Sequence, residues 1–332
     1  MSRRRTRLRG VGHAKLLLFG EHAAVHGHPA VGLSLSETTV AELILEEGPE
    51  WRLPGRGAGA RGEKGRLLAR MLSRLHELAR GPGPGGGKAR FTSGIPPGLG
   101  FGSSAALCAA AAAALGAGSA GTEALWAWAH EAERLFHGTP SGIDTGLALL
   151  DGLYLFQPAP PGLPSARRLS GLPLDLVVGA VPRHGDTGTL VAGLRLKVAA
   201  GDRRAAEALD ELGRIARRAA DLLDGSGERE GRLAGLGELA NAAQLLLSGQ
   251  GLSTAELDGL LREGLSCGAL GGKLSGAGGG GAFFLICPRA DSAVRIAARL
   301  RAAARRAGLP TAGTIRALSY WPGSPLSSTK LS

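Results

Sequence analysis

The run Ile95-Pro96-Pro97-Gly98-Leu99-Gly100-Phe101-Gly102-Ser103-Ser104-Ala105-Ala106 joins alternating glycines to paired serines and the start of an alanine-rich segment. Glycine lets a backbone approach a ligand closely, and the first turn of a helix offers unpaired N–H groups at the positive end of its dipole. The chemistry this suits is phosphate binding. The cradle would be formed by Pro97, Gly98, Leu99, Gly100, Phe101, Gly102, Ser103, Ser104 and Ala105. A tight turn capped by serine would account for one or two of these glycines, but not for the whole spacing. The run is not a Walker loop: no Gly-x-x-x-x-Gly-Lys-Ser/Thr occurs, and Gly272-Lys273 lacks the earlier glycine and is followed by Leu274.

A second glycine cluster, Gly276-Ala277-Gly278-Gly279-Gly280-Gly281, formally contains the dinucleotide pattern Gly-x-Gly-x-x-Gly. That pattern needs a strand before it and a helix after it. Here the sequence predicts a helix before and a strand, Ala282 to Ile286, after. A nicotinamide site is thereby disfavoured. A flexible hinge would not require the Lys273-Leu274-Ser275 lead-in. Elsewhere, a lone lysine such as Lys15 near a strand start is ordinarily a solvated cation. Glu133, taken alone, reads as an ordinary helix carboxylate; with Trp126, His130 and His137 it falls on one face at helical spacing. His130 reads as a core or surface histidine.

These residues need elements to hold them. Ala14 to Gly20 reads as a buried strand ending in a turn, Ala30 to Leu35 and Val40 to Leu45 as two more strands, and Ala89 to Ser93 as a short strand feeding the first glycine loop. Helices are predicted over Leu67 to Ala79, Ala105 to Leu115 and, capped by Thr122, to about Phe136. A strand over Gly152 to Gln157 and a proline-rich connection, Pro158 to Pro164, close the first half. The second half holds strands over Leu174 to Val181, Ala282 to Ile286 and Thr314 to Tyr320. Its helices are Asp202 to Leu223, strongly amphipathic, then Leu233 to Leu247, Thr254 to Leu265 and Ser292 to Ala304. Without regular strand–helix alternation, the pattern favours an α+β fold. No internal repeat is visible.

Composition narrows the class. With 332 residues, 44% hydrophobic, the chain can bury one large or two medium cores. Gly 55 is well above ordinary usage; part of the excess lies in expected surface loops, Pro54 to Gly65 and Gly81 to Gly87. Cys108, Cys267 and Cys287 have neither metal-ligand nor disulfide spacing and fit a reducing cytoplasm as ordinary buried thiols. The net charge of +11 would suit nucleic acid or an anionic membrane, but the cations are scattered and few aromatics interleave. The concentrated stretch, Ser2 to Arg9, reads as a solvated tail. Lys15 and Glu21 interrupt the only apolar segment that could make it a twin-arginine signal, and Ala105 to Ala117 is too short to span a bilayer. A soluble, cytoplasmic protein with an anionic small substrate, no nucleic acid and no membrane is expected.

The first glycine run resembles the phosphate-binding motif of the GHMP kinases, and Lys273 to Gly281 resembles their third motif. Ala14-Lys15-Leu16-Leu17-Leu18-Phe19-Gly20-Glu21-His22-Ala23-Ala24-Val25-His26-Gly27 is similar to their first motif in its mevalonate kinase form, as is His137-Gly138-Thr139-Pro140-Ser141-Gly142-Ile143-Asp144. Galactokinases would be expected to carry an Asn-Leu-Ile-Gly-Glu-His-Thr-Asp-Tyr type of run instead. The resemblance covers nearly all of Lys15 to Phe284. It departs mildly at Thr145, where asparagine is common, and at Phe101, which interrupts the usual Gly-Leu-Gly-Ser-Ser phrasing.

The resemblance implies a two-domain α+β GHMP kinase fold. Its N-terminal domain would have a left-handed β-α-β crossover, its C-terminal domain would be ferredoxin-like, and the active site would lie in the cleft between them. Residues 1–12 would be a disordered basic tail, 13–171 the N-terminal domain and 172–332 the C-terminal domain. The activity implied is ATP-dependent phosphorylation of the primary hydroxyl of mevalonate to 5-phosphomevalonate, a step towards isoprenoids. Asp144 and Lys15 would be catalytic, with Mg²⁺ held by Ser104 and Glu133. Lys15, Glu21, His22, Asp144, Thr187, Gly276 and Ala277 would contact substrate; Thr189 competes with Thr187, and a structural hydrogen-bonding role stays open for Glu21 and His22. Asn241 and Gln244 occupy positions where the family has polar residues. A homodimer is expected. Three alternatives stay open: a GHMP kinase for another small alcohol, such as phosphomevalonate or a sugar; a sister decarboxylase; and a nucleic-acid or ligand-binding module.

Overall fold

The computed structural model describes residues 6–46, 48, 50–53, 62–81, 85–137, 140–159, 162–169, 171–184 and 187–323. Outside them lie tail residues 2–5, most of the 54–65 loop, part of the 81–87 loop, Gly138, Thr139, Gly185 and Asp186, and also the Thr187 side chain. The elements run β1 (Arg7–Phe19), β2 (Ala30–Glu46), β3 (Trp51–Arg52), α1 (Glu63–Arg80), β4 (Gly86–Ser93), α2 (Ser103–Leu115), α3 (Thr122–His137), α4 (Ile143–Leu149), β5 (Leu153–Gln157) and β6 (Ser165–Leu169). They continue with β7 (Leu174–Val181), α5 (Thr187–Ala199), α6 (Arg203–Asp224), α7 (Arg229–Gly249), α8 (Ala255–Ser266), β8 (Gly271–Leu274), β9 (Gly281–Cys287), α9 (Ala290–Arg306) and β10 (Arg316–Tyr320). Two compact units result. The first takes the described residues of Met1–Lys15, Ser34–Pro97 and Gly102–Asp151, the second those of Leu16–Leu33, Gly98–Phe101 and Gly152–Ser332. These units do not divide at 171/172: β5 and β6 belong with the second.

In the first unit, β2 pairs antiparallel with β4 from Thr39↔Ser93 to Glu46↔Gly86, and the short β3 pairs parallel with β4. The stretches expected as two strands are one 17-residue strand, β2, because residues 36–39 contain no glycine or proline to break it. Strand β1 begins at Arg7, so Arg7 to Gly12 is strand and not tail. Leu45 N donates to Thr6 O at 3.1 Å. A Cβ on Gly10 would come 2.1 Å from Ala110 O, and one on Gly12 would come 2.1 Å from Ala106 O. The bare strand backbone and the alanines of α2 are therefore two sides of one close contact. Helix α2 is buried almost all round, which its lack of any polar face requires. It packs against α3 and α4.

In the second unit, Ala30 to Leu33 of β2 pair antiparallel with Phe156 to Leu153 of β5, and β5 pairs antiparallel with β6. A separate sheet has the order β10-β7-β9-β8, with every neighbour antiparallel. Numbered along the chain, this is 4-1-3-2 with helices after the first and third strands, the ferredoxin-like split β-α-β arrangement expected. All residues of β7 and β9 are buried, so these central strands carry the core. Phe19 meets Phe284 edge-on, ring centroids 6.3 Å apart. Helix α6 turns its apolar stripe inward, and its N-cap Asp202 accepts from Ala205 N at 3.1 Å. A helix was expected before the second glycine cluster; the strand β8 comes directly before it instead, and the cluster is the turn of a β8–β9 hairpin. A dinucleotide site still fails, since no helix follows the glycines. Among the described residues no helix is long and apolar enough to cross a membrane.

Candidate active site

Lys15 is held on the inner part of β1, and its ammonium lies 3.2 Å from Asp144 Oδ2. The lysine is buried while Asp144 keeps a partly open face. Asp144 stands in the first turn of α4, where a negative charge is favoured by the helix dipole. The turn that delivers it is locked from α3: Trp126 Nε1 donates to Gly142 O at 2.8 Å, as does Thr145 Oγ1 at 3.1 Å. Ser34 Oγ lies 2.8 Å from Leu147 O and 2.6 Å from Leu150 O, so it ties down the far end of the same helix.

Glycine is required beside the lysine. Gly102 has φ +77°, and a Cβ there would stand 2.7 Å from Lys15 Cγ. Gly98 and Gly100 are also left-handed, φ +74° and +86°. These three turns lead the chain into Ser103 and Ser104, the first residues of α2, with Ala105 buried behind them. Ser104 Oγ is 2.8 Å from His137 Nε2 at the end of α3. One turn back on that helix, Glu133 is buried and its Oε2 has no hydrogen-bond partner. Burial, reinforced by the nearby Asp144 charge and opposed by Lys15, pushes the Glu133 carboxyl up to about 8. Among the described residues, no three of His, Cys, Asp or Glu are grouped to hold a metal ion by themselves.

The second unit contains its own cluster. Glu21 and Lys273, both fully buried, form an ion pair, and Lys273 Nζ also donates to Leu274 O at 2.6 Å. His22 Nε2 donates to Ala277 O at 3.1 Å, which leaves Nδ1 as the bare nitrogen. Burial, helped by the Lys273 charge, lowers the His22 imidazole to about 4. Leu17 N donates to Ser275 Oγ at 2.9 Å. Gly276 and Gly278 to Gly281 all have positive φ, the strained path that only glycine follows freely.

Phe101 is not an interruption but an anchor. Its ring is buried, with the Arg316 guanidinium 5.8 Å from its centroid. Pro97 and Leu99 complete the turn around it, and a Cβ on Gly100 would come 3.1 Å from Ala282 N. Asn241 and Gln244 act on the open edge of β8: Gly272 N donates to Asn241 Oδ1 at 3.1 Å and Leu274 N to Gln244 Oε1 at 2.9 Å. Thr187 opens α5. Sequence reasoning left two contacts unseen, His137 on Ser104 and Lys273 on Glu21. Each residue was already inside a quoted motif.

The sequence and the architecture have counterparts among known proteins. Residues 66–152 match the family described as GHMP kinases N terminal domain, and residues 205–306 match GHMP kinases C terminal. The chain belongs to the GHMP kinases. Within that family its similar relatives include mevalonate kinases. The one from Pyrococcus furiosus is 30% identical over 309 residues, 86% of this chain and 91% of the relative. That from Aeropyrum pernix is 34% identical over 291 residues, covering 80% and 84%. Among solved structures, L. major mevalonate kinase in complex with R-mevalonate is 25% identical with a TM-score of 0.77, covering 96% of this chain and 98% of that one.

Proposed function

We propose that this chain transfers the γ-phosphoryl group of ATP to the primary hydroxyl of mevalonate, giving 5-phosphomevalonate and ADP on the route to isoprenoids. The observation that carries the reading is the Lys15–Asp144 pair next to a glycine turn that opens helix α2. Phosphoryl transfer asks a protein mainly to position reactants and neutralise charge. Pro97 to Ala105 would receive the ATP phosphates on left-handed glycines and helical N–H groups. Asp144 would accept the hydroxyl proton as the oxygen attacks the γ-phosphorus and the bond to ADP breaks. Lys15 would stabilise the nascent alkoxide. Glu21, His22, Thr187, Gly276 and Ala277 would contact the alcohol.

Mg²⁺ fits the residues present. Glu133 offers a buried carboxylate oxygen without a partner, and Ser104 a hydroxyl; both are hard oxygen donors that would hold the ion together with phosphate oxygen and water. When bound, the ion would neutralise phosphate charge. The proposal extends to a cytoplasmic location and to a homodimer, the latter to be tested by light scattering.

A coupled assay of ADP release over a panel of mevalonate, phosphomevalonate, galactose and homoserine tests the reading. Turnover with mevalonate at least tenfold above the others in kcat/KM is expected, roughly the discrimination a pocket achieves for a correctly hydrogen-bonded substrate. Preference for phosphomevalonate or a sugar would move the reading to another small alcohol. No ADP with any of them would overturn it.

A further inference from the structure

We propose that Lys273 is a positioning residue: by holding Glu21 Oε1 it fixes the Glu21–His22 turn and leaves Glu21 Oε2 as the acceptor for a hydroxyl of the alcohol substrate. This rests on the reading of the chain as a small-alcohol kinase. Among the described residues Lys273 is the cation paired with Glu21, and neither side chain is solvated. A buried carboxylate without such a partner is strongly disfavoured. The lysine is itself well placed, since Nζ also donates to Leu274 O and lies 5.5 Å from the Phe284 ring centroid. Its strand does not drift, because the flanking N–H groups of Gly272 and Leu274 are taken by Asn241 and Gln244.

The turn opposite is under strain. His22 has φ 59°, the only positive φ of a non-glycine residue among those described. Three ties hold it to the β8–β9 hairpin: Leu17 to Ser275, Glu21 to Lys273 and His22 to Ala277. Only one Glu21 oxygen is used. Oε2 is buried without a partner, a state that a donor on a ligand would relieve. An ionised carboxylate accepts and never donates, so it favours a hydroxyl at that point and disfavours a second anionic group. Lys273 thus selects the chemical class of substrate without touching it.

The test compares the wild-type enzyme with Lys273→Met and with Lys273→Gln, by steady-state kinetics and by calorimetric binding of mevalonate. Lys273→Met is expected to raise KM and Kd for mevalonate about tenfold or more, a charged hydrogen bond's worth, with a smaller effect on kcat and on KM for ATP. If Lys273→Met does not fold, Lys273→Gln leaves an amide that can still donate to Glu21 without the charge, and its KM for mevalonate should also be raised. A merely structural lysine predicts wild-type KM for mevalonate in whichever variant folds, and that result overturns the proposal alone. A wild-type enzyme that neither binds nor phosphorylates mevalonate overturns the functional reading, and the proposal with it.

Discussion

The Lys15 ammonium lies 3.2 Å from Asp144 Oδ2 with the lysine side chain 5% exposed and the aspartate 39%. The cation is fixed by the strand and the anion is left reachable. A purely structural pair would have no reason to keep the carboxylate open, whereas a proton acceptor must meet its substrate.

Asp144→Asn keeps the size of the side chain and its place in the first turn of α4, but removes the proton acceptor. Turnover should fall by about two to four orders of magnitude, the usual contribution of general-base action. The thermal midpoint should shift by only a few degrees, roughly what a change near 1 kcal/mol produces. A folded variant with more than about a tenth of wild-type kcat would remove Asp144 from the chemistry.

Glu133→Gln replaces a buried, partnerless carboxylate with a neutral amide. The Mg²⁺ concentration for half-maximal rate should rise about tenfold or more, since a charged oxygen donor is lost from a hard-cation site. Titrating Mg²⁺ at fixed ATP reads this directly. An unchanged midpoint would return Glu133 to the role of a helix carboxylate kept for packing.

Much of this was legible before any coordinates, for reasons particular residues make plain. The strands β7 and β9 are continuous apolar runs, and α6 repeats its leucines and alanines at helical spacing, so period alone places them. Glycines 98, 100 and 102 announce a backbone conformation that side chains avoid. The misses have equally local causes. Strand β6 is a polar Ser-Ala-Arg-Arg-Leu stretch and β8 starts with two glycines, so neither carries β-propensity; both depend on pairing and, for β8, on amides from α7. Gly10 and Gly12 hid the start of β1, because their purpose is the α2 backbone, nearly a hundred residues away in sequence. In the site, single residues were visible but their partners were not: nothing in a sequence pairs Glu21 with Lys273 or Ser104 with His137.

His22 gives the fold a pH dependence. Its folded value of about 4 lies below the ordinary imidazole value, chiefly because burial disfavours the charged ring. The native state therefore binds fewer protons than the unfolded state between those values, and stability rises with pH there. This stabilisation is complete above about pH 6.5 and is lost as pH falls towards 4, by up to about 3 kcal/mol. His22→Asn removes the titration while suiting the positive φ. Urea unfolding from pH 4.5 to 7.5 should show a shallower acid loss in the variant. Parallel curves for the two proteins would contradict the assignment.

Two truncations separate the basic charge from the enzyme. Removing residues 2–5 takes out three arginines and nothing of β1, so kinase turnover and thermal midpoint should match the full chain. Removing residues 2–9 also takes Arg7, Leu8 and Arg9 from the strand and the Thr6 carbonyl from Leu45 N. That shorter chain should lose about 1–3 kcal/mol, the cost of a ladder bond left unpaired together with lost strand packing. Any binding of DNA or RNA by the full chain should be weak, steeply salt-dependent and largely gone with the arginines, as expected for phosphate contacts alone. Tight nucleic-acid binding by the 2–5 truncation at physiological salt, with no ADP released from any alcohol, would count against a kinase and for a nucleic-acid partner.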